Sequence, residues 1–350
     1  MKLRHSVYYS MVVAASLTLT ACGGSGSATG TGQLTIGLTD GPVESAERVV
    51  VAFTGIQLKA ADGPPMDPIT FDENSCDDFD AATGTCSIDL LQLTGNTRKV
   101  VFNGAIEAGN YQWVRLLVDA DLNEMDSFIE IRDETDSLTM CSLWIPSGDQ
   151  TGLKIVSGFT VTANGVSDYT LDFDVRKSIT APPGLGMGTF AACAQNYVMK
   201  PTIRIVDSTE VGAIAGTVPV PDPATETESP LSDDSCMVDE TTGLYENVAA
   251  YVFENFDGTA VADDIDQERG NANPVTTASV TFDVDANAYT YEAGYLLAPE
   301  DYIVALTCTA DVDMLDTDEF DPNDQNLQDF SFIAERGVTT VVGETVDGSF

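Results

Sequence analysis

The chain has 350 residues, which is enough for about two domains of ordinary size. Its 56 acidic residues outnumber the 15 basic ones and give a formal net charge of −41 at pH 7. A surface with this charge repels nucleic acid and anionic lipid headgroups, so we expect neither as a partner beyond a lipid attached to the chain itself. The acidic composition is typical of a protein that stays soluble in salt, where ions screen the repulsion between carboxylates.

The N-terminus has the features of an export signal. Lys2 and Arg4 provide positive charge, and an apolar stretch over residues 11–19 is followed by small residues. Residues 19–22, LTAC, resemble a bacterial lipobox, in which the cysteine thiol is acylated and becomes the mature N-terminus. The alternative is a conventional signal peptide that contains a cysteine. We predict a lipoprotein signal peptide over residues 1–22 and lipidation of Cys22.

Residues 23–33 are expected to form a flexible tether, because they are rich in glycine and other small residues. No aspartate follows Cys22, and by resemblance to enterobacterial sorting this favours the outer membrane. Lipoproteins carry two or three acyl chains, palmitate among them, and such an anchor holds firmly. The expected location is therefore the outer membrane, with the protein lipid-anchored on the periplasmic face or at the cell surface.

The rest of the chain has the alternation of β-strands. The runs RVVVAFTGIQLK (48–59), YQWVRLLVDA (111–120), DYTLDFDV (168–175) and PTIRIVD (201–207) are β-branched and aromatic, with polar residues at alternate positions. The pattern restarts after residue 207, with strands expected at 211–220, 247–254, 278–284, 301–308 and 337–344. We predict an all-β protein with two antiparallel Ig-like or transthyretin-like β-sandwich domains, at 34–208 and 209–350.

Beyond Cys22 the chain has six cysteines, an even number that indicates disulfides in an exported protein. They are Cys76, Cys86, Cys141, Cys193, Cys236 and Cys308. The first two flank a short acidic loop and are expected to close it. The last two both lie in the second domain, which leaves the middle two to pair. The sequence alone does not decide the connectivity, and a metal site is disfavoured because no CxxC spacing is present.

The residue inventory argues against catalysis by histidine. The single histidine, His5, lies inside the signal, so the mature protein has no Ser–His pair, histidine base or histidine ligand. Ser147 stands between proline and glycine, with Lys154 and Lys177 as the only candidates for a Ser–Lys dyad, and the spacing of neither lysine fits one. The stretch also lacks the strand–GxSxG–helix context of a nucleophile elbow. We interpret Ser147 as a turn residue and Lys154 as a charge at a strand edge.

The stretch LDFDVRKS (171–178) places Asp172 and Asp174 on one face of a strand and apolar residues on the other. A carboxylate pair beside two cations could form a sugar-binding or glycosidase-like site. The alternative that we favour is a half-exposed strand with cross-strand ion pairs to Arg115 or Arg204, because carboxylates are abundant throughout this chain.

Two acidic stretches could offer oxygen ligands to Ca²⁺, and we expect no other cofactor. The first stretch contains Asp72, Glu73, Asp77, Asp78 and Asp80. The second, slightly preferred, contains Asp311, Asp313, Asp316, Asp318, Glu319 and Asp321. Neither fits the EF-hand loop, since the glycine at position six and the closing glutamate are missing. Most acidic loops in an acidic protein are only solvated, so ordered calcium sites remain the less favoured reading.

The first domain resembles a known family through six stretches that occur in the expected order. They are LTIGLTDGPVESAERVVVAFTGIQLK (34–59), IDLLQLTG (88–95), IEAGNYQWVRLLVD (106–119), IPSGDQTGLKI (145–155), LDFDVRKSI (171–179) and YVMKPTIRIV (197–206). The family is catalogued as "domain of unknown function 4382". The resemblance implies an exported bacterial lipoprotein with a β-sandwich fold, and it implies no activity. The second domain is more loosely similar to the sandwiches of carboxypeptidase-regulatory-like and transthyretin-like proteins.

These observations favour a non-catalytic envelope protein over an enzyme. Three functions stay open: a module that binds a glycan, an envelope polymer or an envelope protein; a structural or assembly lipoprotein with no small ligand; and, least favoured, a carboxylate-based glycan hydrolase. The two tryptophans, Trp113 and Trp144, are too few for an aromatic sugar platform unless tyrosine and phenylalanine complete it.

The lipobox interpretation is testable by one substitution. We expect Cys22→Ser to leave the protein unlipidated and to release it from the membrane fraction, because the thiol that carries the diacylglycerol is gone. Cell fractionation and intact-mass measurement check this. Retention of the variant in the membrane at the wild-type level would contradict the interpretation.

Overall fold

The computed structural model describes residues 30–41, 46–76, 78–132, 137–146, 148, 152–180, 193, 197–222, 224, 228–254, 274–310 and 331–350. Within these residues the chain is almost entirely β-structure, which confirms the all-β prediction. The helical elements whose bounds are described are one four-residue helix, α1 (Val175–Ser178), and two 3-10 turns at Leu90–Gln92 and Pro230–Ser232. None of the described helices is long and apolar enough to span a bilayer.

The first half of the chain contributes strands β1 to β15. They are β1 (Thr31–Gly41), β2 (Arg48–Ala60), β3 (Ile69–Thr70), β4 (Phe79–Asp80), β5 (Thr85–Asp89), β6 (Lys99–Glu107), β7 (Gly109–Asp119), β8 (Phe128–Arg132), β9 (Leu138–Trp144), β10 (Leu153–Ile155), β11 (Phe159–Val161), β12 (Val166–Asp174), β13 (Ile179–Thr180), β14 (Tyr197–Met199) and β15 (Thr202–Asp207).

These strands form two sheets that enclose one hydrophobic core. The smaller sheet has the order β15-β12-β1-β6, and the larger follows β10-β7-β2-β8-β9-β14-β13 with β3, β4, β5 and β11 paired beside it. Alternate residues of β1, Leu34, Ile36 and Leu38, are fully buried against the core, as period-two alternation requires. Most pairs are antiparallel, but β1 runs parallel to β12 in register. That pairing brings the C-terminal ends of β1 and β12 to the same edge of the sheet.

The second half contributes strands β16 to β23. They are β16 (Val211–Pro219), β17 (Ala249–Glu254), β18 (Thr276–Ser279), β19 (Thr281–Asp283), β20 (Ala288–Leu297), β21 (Asp301–Thr307), β22 (Phe332–Thr339) and β23 (Thr345–Asp347). Two four-stranded sheets result, with the orders β19-β20-β16-β23 and β18-β17-β21-β22. Their hydrophobic core is separate from that of the first half, and the chain crosses between the two pairs of sheets in the turn at 208–210.

Two of the predicted strands differ from the structure. The run 278–284 is not one strand, because the chain changes sheets at Val280: β18 pairs with β17, whereas β19 pairs with β20. Strands that switch sheets in this way form the corners of sandwiches. The run 337–344 holds only the end of β22. The chain then turns, with Thr340 Oγ1 donating to the Leu297 carbonyl (2.7 Å) and Gly343 adopting a φ of 71° that favours glycine.

Three disulfides link six of the seven cysteines of the chain. They join Cys76 to Cys86, Cys141 to Cys193 and Cys236 to Cys308. These are the pairs expected from the sequence. The third closes a loop of 72 residues within the second half, and the chain-entropy model assigns a crosslink of that span about 4 kcal/mol of stabilisation.

A tyrosine near the start of a strand has a similar role in each half. Tyr111 on β7 donates its hydroxyl hydrogen to the Glu107 carbonyl (2.7 Å), and Tyr302 on β21 donates to the Leu297 carbonyl (3.2 Å). A tyrosine that bonds back to the chain a few residues upstream is a feature of Ig-like sandwiches. The stretches that hold these tyrosines, AGNY (108–111) and APEDY (298–302), are also weakly similar in sequence.

Candidate functional site

A cluster of acidic and basic side chains lies where the two domains meet. The parallel pairing of β1 and β12 places Gly41 opposite Asp174, so both strands end at the same place. Helix α1 follows at once, and the Asp174 carboxylate caps it by accepting a hydrogen bond from the Lys177 amide (3.1 Å). A capping carboxylate satisfies a backbone donor that the first turn of a helix leaves open. Acidic and basic side chains are thereby gathered at one sheet edge.

Two ion pairs organise this edge. Asp172 is the cross-strand neighbour of Arg204, and their side chains meet at 2.5 Å. Lys177 Nζ lies 2.8 Å from Asp174 Oδ2. The predicted cross-strand pair with Arg204 is confirmed, whereas Arg115 lies on the other sheet and donates to Gln57.

The expectation that this strand is half-exposed is wrong. Asp172 and Asp174 are only 4% and 9% exposed. The cause is the second domain, which packs over α1: Arg176 Nη1 donates to the Ala310 carbonyl (2.9 Å), and Lys177 Nζ donates to the Pro274 carbonyl (2.5 Å). Burial removes water from charged groups, so these partners from the second domain compensate for lost hydration.

Asp40, at the end of β1, is the third carboxyl of this cluster. It is 4% exposed, and burial raises the pKa of its carboxyl well above the usual range, with the negative charges of Asp172 and Asp174 adding to the increase. The Val175 amide donates to Asp40 Oδ1 (3.2 Å) and partly opposes it. Burial also raises the pKa of Asp172, against the opposing effect of Arg204.

A second contact between the domains involves the turn at residues 94–97. Asn96 donates a side-chain hydrogen bond to Glu292 (2.5 Å), and the Tyr295 hydroxyl donates to the Asn96 carbonyl (3.2 Å). Between them, Gly294 lies so close to the turn that an added Cβ would stand 2.2 Å from the Gly95 carbonyl oxygen. No side chain fits in that space, so this approach of the two backbones requires glycine at 294.

Beside this contact lies a cleft of about 580 Å³ with walls from both domains. The turn of the first domain lines one side, and β18, β19, β20 and β16 of the second domain line the other. Five of the lining side chains carry hydroxyl groups on threonine or serine, and two carry carboxylates. The lining residues are Thr94, Gly95, Thr97, Ala215, Ala278, Ser279, Thr281, Asp283, Thr290, Tyr291 and Glu292. This arrangement offers many hydrogen-bond donors and acceptors and no cation.

The other residues singled out in the sequence lie elsewhere. Cys22, Ser147 and the acidic stretch from Asp311 to Asp321 fall outside the described residues. In the first acidic stretch, Asp72 and Asp80 accept hydrogen bonds from amides of their own loops. Among the residues with a described structure, no cluster of carboxylate, cysteine or histidine side chains could hold a metal ion.

Asp40 and the turn at 94–97 were not predicted from the sequence. Asp40 did carry a signal, since it continues the buried alternation of Leu34, Ile36 and Leu38 with a charged residue. A carboxyl at a position where the pattern demands an apolar side chain predicts a buried polar contact. The turn carried no comparable signal, because its role depends on the placement of the second domain.

The close approach at Gly294 gives a direct test of the domain contact. We expect Gly294→Ala to separate the 94–97 turn from β20, because overpacking costs about 1–3 kcal/mol, or roughly a ten- to hundredfold increase in local opening. Hydrogen–deuterium exchange of peptides covering 94–97 and 292–295 measures it. Gly337→Ala is the control, since an added Cβ there meets nothing within 4 Å. Unchanged exchange in the Gly294→Ala variant would contradict this contact.

The buried Asp40 carboxyl predicts a pH dependence of stability. The pKa of this carboxyl is higher in the folded chain than in the unfolded chain, where it is about 3.9. The stability that the carboxyl contributes to the fold is therefore fully present below the unfolded pKa and is lost as pH rises through the folded pKa. We therefore expect Asp40→Asn to be more stable than the wild type at pH 7, with the difference vanishing below about pH 4. Urea unfolding at a series of pH values measures this.

Asp72→Asn serves as the control for the Asp40 substitution. The Asn74 amide lowers the pKa of the exposed Asp72 carboxyl, so any effect of its replacement has the opposite sign. An Asp40→Asn variant that is no more stable than the wild type at pH 7 would show that burial of the charged Asp40 carboxylate does not destabilise the fold.

Comparison with known proteins gives a match for the first domain only. No curated protein gives a significant match to the chain. No solved structure gives one either. The resemblance of the first domain is confirmed at the level of the family, since the family model described as "Domain of unknown function (DUF4382)" matches residues 31–201, from β1 to β14.

Proposed function

We propose that the protein is an exported, lipid-anchored binding protein of the outer membrane that holds a glycan between its two domains without catalysing a reaction. The observation that carries this proposal is the interdomain cleft of about 580 Å³ with hydroxyl and carboxylate side chains on its walls. Ligand sites in proteins are concave, favour domain interfaces and commonly have volumes of about 300–1,000 Å³.

The chemistry of the lining favours a polyhydroxylated ligand. Threonine hydroxyls both donate and accept hydrogen bonds, and the carboxylates of Asp283 and Glu292 accept them from hydroxyl groups. Thr281 and Thr290 are cross-strand neighbours on β19 and β20, so their side chains point to the same face. Because no lysine or arginine lines the cleft, an anionic ligand is disfavoured there.

The positions of the perturbed carboxyls favour binding over catalysis. A general acid must reach the atom that it protonates, and its pKa must be raised toward the working pH. Asp40 and Asp172 have raised pKa values, but both are 4% exposed beneath the second domain and lie outside the cleft lining. We therefore propose that these carboxyls serve domain packing, and that the glycan hydrolase is the least favoured alternative.

The anchor and the second domain complete the proposal. We propose that Cys22 carries palmitate or similar acyl chains at the outer membrane and that residues 23–33 connect it to β1. The second domain, with its two four-stranded sheets and separate core, supports the proposed likeness to carboxypeptidase-regulatory-like and transthyretin-like sandwiches. The tight packing of the domains also favours the structural alternative, in which the chain is a spacer or assembly part with no small ligand.

A glycan array probed with the purified mature protein tests the proposal. We expect at least one glycan to bind, and Thr281→Val with Thr290→Val to weaken its binding about tenfold, because each lost hydrogen bond is worth roughly 0.5–1.5 kcal/mol. Valine keeps the β-branched shape, and Thr345→Val on the exposed strand β23 is the control. If no glycan binds, the structural alternative replaces this proposal. Cleavage of a bound glycan would show that the protein is an enzyme.

A further inference from the structure

The outer face of the larger sheet in the first domain carries a cluster of basic residues around a tryptophan. Strand register places Lys59 opposite Trp113 and Arg115 opposite both Gln57 and Lys154. Their neighbours along the strands, such as Leu58 and Val114, are fully buried in the core. Alternation therefore directs the basic side chains to the opposite face. We call Lys59, Trp113, Arg115 and Lys154 the basic patch.

The indole of Trp113 holds two of these cations close together. The guanidinium carbon of Arg115 lies 4.8 Å from the ring centroid, and Lys154 Nζ lies 5.0 Å from it. Both distances fall within the range of cation–π attraction. The Trp113 side chain is only 7% exposed, so the ring serves as a fixed support for the cations. Two like charges are thus held around one indole.

The basic patch differs from most of the basic residues whose contacts are described. Several cations elsewhere are paired with carboxylates: Arg48 with Asp89, Arg98 with Asp168, and Arg204 with Asp172. By contrast, Lys59, Arg115 and Lys154 make no salt bridge with any carboxylate in the described part of the chain. The hydrogen bonds of Lys59 and Arg115 end on neutral oxygens, those of Ala60 and Gln57.

One donor of the basic patch is left without a partner. Arg115 Nε is buried and has no hydrogen-bond partner among the described residues. An unsatisfied buried donor is costly, most of all on a charged group. The chain has 56 acidic residues, yet these three neighbouring cations pair with no carboxylate of the described residues, which indicates a place where negative charge is supplied from outside.

We propose that the basic patch is a binding site for a small ligand that carries a carboxylate or phosphate group, such as an acidic sugar. Arginine presents planar donors that match the oxygens of either group, and lysine adds a mobile point charge. The net charge of −41 repels a long polyanion, so the site suits a single anionic group or a short acidic oligosaccharide. Such an anion would relieve the repulsion between the cations around Trp113.

This site is distinct from the interdomain cleft. The basic patch is on β2, β7 and β10 of the first domain, whereas the cleft is lined by the turn at 94–97 and by strands of the second domain. Only the choice of a sugar as the carrier of the anion rests on the proposed glycan function. Anion binding itself does not depend on the cleft.

Tryptophan fluorescence can report binding at this site. A Trp144→Phe background leaves Trp113 as the only tryptophan, and the probes are a galacturonate trisaccharide, its neutral methyl ester and inorganic phosphate. We expect the change in Trp113 emission to saturate as the trisaccharide or phosphate is added. The change should disappear in high salt, which screens the charges, and should be absent with the methyl ester. The tighter of the two anionic probes identifies carboxylate or phosphate as the preferred group.

Substitutions with a matched control decide whether the basic patch binds the anion. We expect Arg115→Gln and Lys154→Gln each to weaken binding about tenfold or more, as expected when a charge-assisted hydrogen bond is lost. Arg48→Gln removes the same charge from strand β2, where Arg48 contacts Phe128 and Asp89, and leaves binding unchanged. Lys154 is exposed, so its variant keeps the test valid if the Arg115 variant fails to fold.

Three results would overturn the proposal: no response to either anionic probe, an equal response to the methyl ester, or an equal loss in the Arg48→Gln variant. The variant with Thr281→Val and Thr290→Val separates this proposal from the cleft, since it retains anion binding even if glycan binding in the cleft is lost.

Discussion

The structure depends on the burial of charged side chains where the two domains meet. Asp172, Asp174 and Lys177 lie in a nearly dry environment, and a charge in such an environment must have a partner. Part of that partnership comes from the first domain, as in the pair between Asp172 and Arg204. The rest comes from carbonyl oxygens of the second domain, at Pro274 and Ala310. Removing one partner from a buried pair costs about 3–5 kcal/mol, so the domains have one strongly preferred arrangement.

The cleft follows from that arrangement. Its walls come from both domains, so it exists only when the turn at 94–97 lies against β20. The close approach at Gly294 and the hydrogen bonds of Asn96 fix this second contact. A site that is formed in advance loses less entropy on binding than one that the ligand must assemble. The same packing would equally suit a rigid structural part, which is why ligand binding is the property that distinguishes the two functions.

Much of the fold could be predicted from the sequence, because alternation is a local property. The run at 48–59 became β2, that at 111–120 became β7, and that at 168–175 became β12. The disulfide pairs were expected from cysteine parity, the acidic loop and the domain boundary, although the sequence alone did not decide the connectivity. The parallel pairing of β1 with β12 could not be predicted, since it depends on contacts between distant parts of the chain.

The candidate sites were less predictable for the same reason. LDFDVRKS has the pattern of a strand with one polar face, and it becomes buried only because another domain covers that face. The basic patch was also missed, because Lys59, Arg115 and Lys154 are far apart in sequence and meet only through strand register. Asp40 was the exception, since a charge that continues a buried alternation is visible in the sequence itself.

We expect the buried charges to join the two sandwiches into one cooperative unit. Differential scanning calorimetry of the purified protein tests this, because it compares the measured enthalpy of unfolding with the van't Hoff enthalpy. We predict a single transition at neutral pH in which the two enthalpies agree. Two separate transitions, each with the enthalpy of one domain, would show that the two domains unfold independently.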